Sequence, residues 1–218
     1  MEHQRHSYLK IIAECSFARP RVSNKQIRHF ANVSPATVTE TTRLLQRDEL
    51  VDRRRYTGVT LTDRGRHLAC QLLHNYRLCE VLLTQQLKLP LSQVPAQAWA
   101  MADTLTPATA TALNSYLGQP ERSPFGGVLE LCRVLDDTHI TRLSDVVTGQ
   151  QVICQSYLET TDLVDYLQEI ALPLDVPVRI TKCDRNLNLL YLELPQHREI
   201  TLNLNAADYI YTKKVQHL

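Results

Sequence analysis

Ala36, Thr37, Thr39, Glu40 and Arg43 recur at helical spacing behind Ser34-Pro35, and Arg53-Arg54-Arg55-Tyr56 follows in a stretch of strand-like composition. Small, hydroxyl, carboxylate and guanidinium groups on the outward side of one helix can meet base edges in a major groove. Guanidinium groups match phosphate oxygens and add affinity that ignores sequence and falls with salt. Each stretch has a plainer alternative, a solvated helix face and a solvated charge run. Taken together they point to double-stranded DNA. Alternation along a strand turns Arg54 away from its neighbours. The residues assigned to DNA contact are therefore Ser34, Ala36, Thr37, Thr39, Glu40, Arg43, Arg53, Arg55 and Tyr56.

Enzyme chemistry finds no motif. The chain has no Gly-rich phosphate loop, no His-Glu-x-x-His and no nucleophile elbow. Cysteines 15, 70, 79, 132, 154 and 183 form no C-x-x-C pair, so they read as free thiols, several of them in cores. His74 and Cys79 share a predicted helix, but a spacing of five does not share a face, and packing is their expected role.

The elements that must position the DNA-reading groups are legible from periodicity and caps. Helices are predicted at Tyr8–Phe17, at Asn24–Ala31 behind the N-cap Ser23, and from Pro35 to about Arg47 behind Ser34, with Val38, Thr41 and Leu45 inward. Val51–Leu61 has two extended segments around a polar tip with Gly58, a hairpin pattern. Thr62 then caps a long helix to about Leu87. Pro95–Leu105 and Thr106–Leu117 read as two more helices, and 119–127 as a loop. Strands are predicted at Val152–Tyr157, Val178–Lys182, Leu189–Leu194, Ile200–Leu204 and Tyr209–Thr212, with a helix at Thr161–Ala171. Five short strands in so little chain suggest a small β-barrel.

Hydrophobic residues make up 44% of the chain and charged residues 22%, an ordinary globular balance. No apolar run approaches the ~20 residues of a membrane span. The first residues are polar and lack the apolar core of a signal peptide. A cytoplasmic protein without membrane contact is expected. Residues 1–66 hold 13 Lys/Arg against 7 Asp/Glu, and residues 67–218 hold 11 against 16. A basic front on a nearly neutral whole suits one module that meets a polyanion.

Several stretches in order resemble one family. They are Tyr8-Leu9-Lys10-x-Ile12, Val33-Ser34-x-Ala36-Thr37-Val38-Thr39, Leu50-Val51, Leu61-Thr62-x-x-Gly65, Arg77-Leu78-x-Glu80-x-Leu82-Leu83 and Ser123-Pro124-Phe125-Gly126. This set is similar to the iron- and manganese-dependent repressors typified by the diphtheria toxin repressor, and Leu143–Thr212 resembles the SH3-like, FeoA-type domain of the longer members. The resemblance implies an α+β chain in three parts: a winged helix-turn-helix over 1–66, a helical dimerisation domain over 67–138, and an SH3-like small β-barrel over 139–218. It also implies a bacterial, homodimeric regulator of transcription.

The resemblance further implies two metal sites, and here the chain departs from the family. Primary-site positions fall on Ser7, Lys10, Trp99, Ala102 and Asp103, of which Asp103 alone is a good ligand. Second-site positions fall on Tyr76, Glu80, Pro95, Glu159 and Asp162. Glu80, Asp103, Glu159 and Asp162, or a cysteine, are thus the metal candidates that remain, with surface acids the preferred reading for Glu80, Glu159 and Asp162. Transition metals want several N, O or S donors together. The expectation is operator binding without the family's metal, with no cofactor and a divalent metal as the alternative. Packing around Trp99 and a Lys10–Asp103 ion pair would hold the arrangement that metal holds elsewhere. Two rival readings stay open: a metal-sensing repressor with a rebuilt site, and a protein-interaction module acting through the barrel.

Overall fold

A computed structural model of the chain describes residues 2–17, 21–54, 57–130 and 140–215. Its first part is three helices and a hairpin: α1 (Glu2–Ser16), α2 (Asn24–Ala31), α3 (Pro35–Arg47), β1 (Val51–Arg54) and β2 (Gly58–Leu61). Local chemistry sets the boundaries. Ser23 and Gln26 form a reciprocal capping box at the start of α2, and Asn32 ends it in the left-handed region at φ 49°. Ser34 Oγ accepts from the Thr37 amide, with Pro35 at the first helical position of α3. Val22 bridges Val59, so a third stretch of chain pairs with the hairpin. Gly58 sits there at φ +109°, and a Cβ on it would fall 2.4 Å from the Val22 carbonyl oxygen. Tyr8, Leu9, Ile12, Val22, Ile27, Val38, Leu45, Val51, Val59 and Leu73 close the core of this part.

The second part begins with α4 (Asp63–Val81), capped by Thr62 Oγ1. The stretch expected as one helix to Leu87 changes pitch into a π turn over Leu82–Gln86, where the Leu87 amide reaches back to the Leu82 carbonyl. Thr84 Oγ1 donates to the Glu80 carbonyl just before it (2.8 Å). A short 3-10 turn (Leu91–Gln93) leads into α5 (Val94–Ala102), followed by α6 (Pro107–Tyr116). α6 buries only Ala110 within its own chain, and Tyr116 is exposed.

The third part is a six-stranded antiparallel sheet: β3 (Thr141–Arg142), β4 (Gln151–Tyr157), β5 (Pro177–Asp184), β6 (Leu189–Glu193), β7 (Glu199–Asn203) and β8 (Ile210–Lys214), in the order β3-β8-β4-β5-β6-β7. Helices α7 (Thr161–Glu169) and α8 (Leu204–Ala207) interrupt it. Bulges at Cys154/Ser156 and Ile180/Lys182 bend it toward a barrel. β3, with two residues, is too short to carry a sequence pattern and is not among the strands expected. The barrel does not stand apart. Val152, Val164, Leu167 and Ile210 share one core with Tyr76, Cys79 and Leu83 from α4 and the π turn, and with Val94, Ala98 and Ala102 of α5.

Candidate nucleic-acid interface and the buried junction behind it

α3 is the second helix of a helix-turn-helix, and its outward side is the one read from sequence. Ser34, Ala36, Glu40 and Arg43 are exposed, while Thr37 and Thr39 are half-buried. Two hydroxyls already have local bonds. Ser34 Oγ lies 2.8 Å from Thr37 Oγ1, and Thr39 Oγ1 donates to the Pro35 carbonyl (3.0 Å). These bonds fix the direction of the hydroxyls.

In the hairpin, Arg53 pairs with Val59 and Arg54 with Gly58. Val51 and Val59 are buried, so Arg53, on their side, is half-buried and Arg54 is exposed. Arg54, set aside by the alternation argument, is the freer of the two guanidinium groups. Arg55 and Tyr56 lie outside the described residues. A cavity of about 310 Å³ is lined by Arg21, Asp52, Arg53, Arg54, Thr57, Gly58 and Thr60. Arg21 reads in the sequence only as part of a helix break; its place becomes visible when Val22 pairs with the wing. Arg5 carries no sequence signal either: its Nη1 donates to Asp48 Oδ2 (2.7 Å) and ties α1 to the end of α3.

Behind this face lies a buried junction where α1, α4, α5 and the barrel meet. Lys10 Nζ stands 3.2 Å from the Tyr76 ring centroid and 4.7 Å from that of Trp99. The two rings pack edge to face, 5.7 Å apart. Trp99 Nε1 donates to Ser7 Oγ (3.0 Å), and His6 Nδ1 lies 2.6 Å from Asp103 Oδ1. Asp103 thus meets His6 in place of the expected Lys10. α1 and α5 run so that His6, one turn before Lys10, reaches Asp103, while Lys10 meets Trp99 one turn earlier on α5 and Tyr76 on α4.

Beside them, Arg77 is 1% exposed. Its Nη1 donates to the Val128 carbonyl (2.7 Å) and its Nη2 to Glu14 Oε1 (3.2 Å). Glu80 and Glu159 are also buried, at 0% and 6% exposure, which overturns their reading as surface acids. Folding the barrel back onto α4 removes both from water. Asp162, in the first turn of α7, stays exposed. Pro95 and Ala102 are core residues. Among the described residues no three His, Cys, Asp or Glu side chains converge as a metal-holding group. The five described cysteines are free thiols.

Burial governs the ionisation of this cluster. It pushes the Glu80 carboxyl up from 4.5 to about 7, although Lys10 and Arg77 pull the other way. Glu159 is held well above its ordinary value by burial, then by Glu14 and Glu80. Burial lowers Lys10, against the pull of Glu159, Glu14 and Glu80. Burial also works against the Arg77 charge, but Glu14, Glu159 and Glu80 outweigh it. Both oxygens of Glu80 and Oε2 of Glu159 have no hydrogen-bond partner of good geometry, though the Tyr76 and Ser123 hydroxyls stand close to Glu80.

A pH dependence follows. Between the unfolded value of 4.5 and about 7, the folded chain keeps a proton on Glu80 that the unfolded chain has released. Stability is thus fullest at the acid end of this window and falls as pH rises through it. Glu80→Gln should flatten the slope, read as melting temperature against pH. A slope unchanged in the variant would show that Glu80 titrates normally.

A winged helix, a helical middle and an SH3-like barrel, in that order, are the three-part architecture of DNA-binding repressors of the kind the sequence resembles. Residues 62–128 match the family described as "Iron dependent repressor, metal binding and dimerisation domain". The iron-dependent repressor IdeR of Mycobacterium tuberculosis is 27% identical over 197 residues, covering 84% of each chain. The diphtheria toxin repressor of Corynebacterium jeikeium is 28% identical over 150 residues, 67% of this chain and 62% of that protein. Among solved structures, the manganese regulator SloR superposes with a TM-score of 0.83 at 26% identity, covering 96% of this chain and 98% of its own. The apo form of the manganese-activated repressor ScaR gives 0.79 at 28%, covering 96% and 100%. Over nearly its whole length the chain is thus similar to iron- and manganese-dependent transcriptional repressors, and its middle part matches their metal-binding and dimerisation domain. No helix among the described residues is long and apolar enough to cross a membrane.

Proposed function

We propose that this repressor binds operator DNA as a homodimer without the transition-metal activation its relatives are named for. The observation that carries the reading is Lys10. Its half-buried side chain puts Nζ against the Tyr76 and Trp99 rings, at family positions where ligands would sit. The residues present do not fit a transition metal: Ser7, Lys10, Trp99 and Ala102 replace four primary-site donors, and Asp103 is engaged by His6. Lys10 stands among Glu14, Glu80 and Glu159, whose charges favour its ammonium form against the cost of burial. A ligand shifts an equilibrium only by its differential affinity for two states. A covalent part of the chain shifts it permanently. Dimerisation rests on the middle helices, where α6 leaves most of its surface uncovered.

DNA contact is assigned to Ser34, Ala36, Thr37, Thr39, Glu40 and Arg43 in the major groove, and to Arg53, Arg54, Arg55 and Tyr56, with Arg21, on the backbone. The paired variant Arg53→Ala/Arg54→Ala should weaken binding to every DNA sequence. It should also reduce the slope of log affinity against log salt by about 0.9 for each phosphate the variant no longer neutralises. Fluorescence anisotropy across a salt series is the test. An unchanged slope and affinity remove the wing from the interface. A second reading has one observation in its favour: the unpartnered oxygens of Glu80 and Glu159 are good donors for a hard cation. In that reading the protein is a sensor with a rebuilt site, and its DNA affinity follows the metal.

A further inference from the structure

We propose that the C-terminal barrel positions the DNA-reading helices, with Tyr209 as the residue that transmits the barrel's position to α2. The inference rests on the DNA-binding reading above and gives the barrel a part in it.

Tyr209 stands immediately before β8 and packs on the last turn of α2. Its ring centroid lies 4.6 Å from that of Phe30 at an interplanar angle of 89°, the edge-to-face geometry aromatic pairs prefer. The His29 ring is near-parallel to it at 6.4 Å. His29 and Phe30 closely precede the Asn32-Val33 turn into α3, so whatever fixes them fixes the pitch of the helix that would enter the groove.

The contact is held firmly from the barrel side. The Tyr209 carbonyl accepts from the Leu158 amide (3.0 Å), and the Tyr209 amide donates to the Ala206 carbonyl (3.0 Å). Asp208, the preceding residue, accepts from Ser144 Oγ (2.6 Å) and pairs with Arg142 (3.1 Å). Two further contacts run parallel to it. The Tyr211 hydroxyl donates to the Glu14 carbonyl (2.7 Å) while its ring meets Phe17 edge to face at 5.6 Å. Leu158, at the end of β4, is buried in the core of the winged helix.

The barrel's other side shares a core with α4 and α5. It therefore bridges the helical middle, which carries the proposed dimer contact, and α2, which carries the reading helix. The other path between those parts runs through α1, which packs on α4 and meets α5 at His6–Asp103 and Ser7–Trp99. A bridge that closes a second path restricts the angle between reading helix and dimer axis. Two half-sites on a duplex demand that angle, whereas non-specific phosphate contact tolerates a range of angles.

The experiment uses the full-length dimer. Tyr209→Ala should lower operator affinity about tenfold or more while leaving non-specific DNA affinity at low salt within about twofold. Sedimentation and circular dichroism should match the parent. Tyr209→Phe, which keeps the ring, should restore operator affinity. Phe30→Ala should show the same loss, and the double variant no further loss, because each single change breaks the same contact. Equal loss on operator and non-specific DNA, an independent additive loss in the double variant, or no loss at all overturns the proposal. If Tyr209→Ala does not fold, the comparison of Phe30→Ala with its parent decides by the same operator-against-non-specific criterion. If the parent itself has no affinity for DNA, the DNA-binding reading fails; if the parent binds and the variants bind as well, the positioning role alone fails.

Discussion

Arg77→Met is expected to lower stability by about 3–5 kcal/mol, a large fraction of the ~5–15 kcal/mol that holds a typical domain folded. The guanidinium is fully buried and donates to Glu14 and to the Val128 carbonyl. The Phe17 ring lies 5.4 Å from its centre. Gly127 makes room for it, since a Cβ there would come within 2.4 Å of Arg77 Nε. Methionine fills part of the volume but leaves the Glu14 carboxylate in the core without its cation. It also leaves the Val128 carbonyl without its donor. Arg77→Lys should fail nearly as badly, because a single ammonium cannot span both acceptors in the guanidinium geometry. The measurement is the urea midpoint at neutral pH. The double variant Arg77→Met/Glu14→Gln should recover part of the loss, since it removes the stranded charge. A midpoint within error of the parent for Arg77→Met would mean that the pair has no structural role.

Lys10→Met should reduce operator affinity by tenfold or more, about 1.4 kcal/mol of binding free energy. It removes the ammonium that faces Glu14, Glu80 and Glu159 and takes a cation off two aromatic faces. Neutral methionine keeps most of the packing, so secondary structure should be retained while α1 loses its electrostatic hold on α4 and α5. The folded carboxyls respond by holding protons more tightly, which carries the acid-favoured stability of the junction to higher pH. Operator affinity measured by anisotropy at constant salt reads the effect. Parent-like affinity in Lys10→Met would remove the internal cation from the mechanism.

Much of the fold is legible because it is written locally. Ser34-Pro35, Ser23, Thr62 and Thr106-Pro107 each announce a helix start, and the structure places a helix behind each. The outward face of α3 follows from the same periodicity. The junction is not legible, because its contacts join residues far apart in sequence. Arg77 and Glu14 are 63 positions apart, and Tyr211 and Glu14 are 197 apart. Glu80 and Glu159 read as surface acids in a linear chain and become core groups only when the barrel folds back on α4. Lys10 and Asp103 look like partners by charge. The register of α1 against α5 gives Asp103 to His6 instead, one turn away. In the wing, strict alternation favours Arg53 over Arg54, whereas the buried pair Val51 and Val59 shows that Arg53 shares the inner side.

If a residue of the chain does what metal does in the relatives, metal should make no difference to DNA binding. The deciding quantity is the affinity of the full-length dimer for its selected operator, measured in chelator and again in saturating Mn²⁺ or Fe²⁺ at the same ionic strength. An internal cation gives the same affinity in all three buffers, with a dimer by sedimentation in each. Trp99→Ala, which removes one wall of the Lys10 site, should then lower affinity equally in chelator and in metal. A gain of tenfold or more on adding metal, about 1.4 kcal/mol, would contradict this and make the protein a sensor with a rebuilt site.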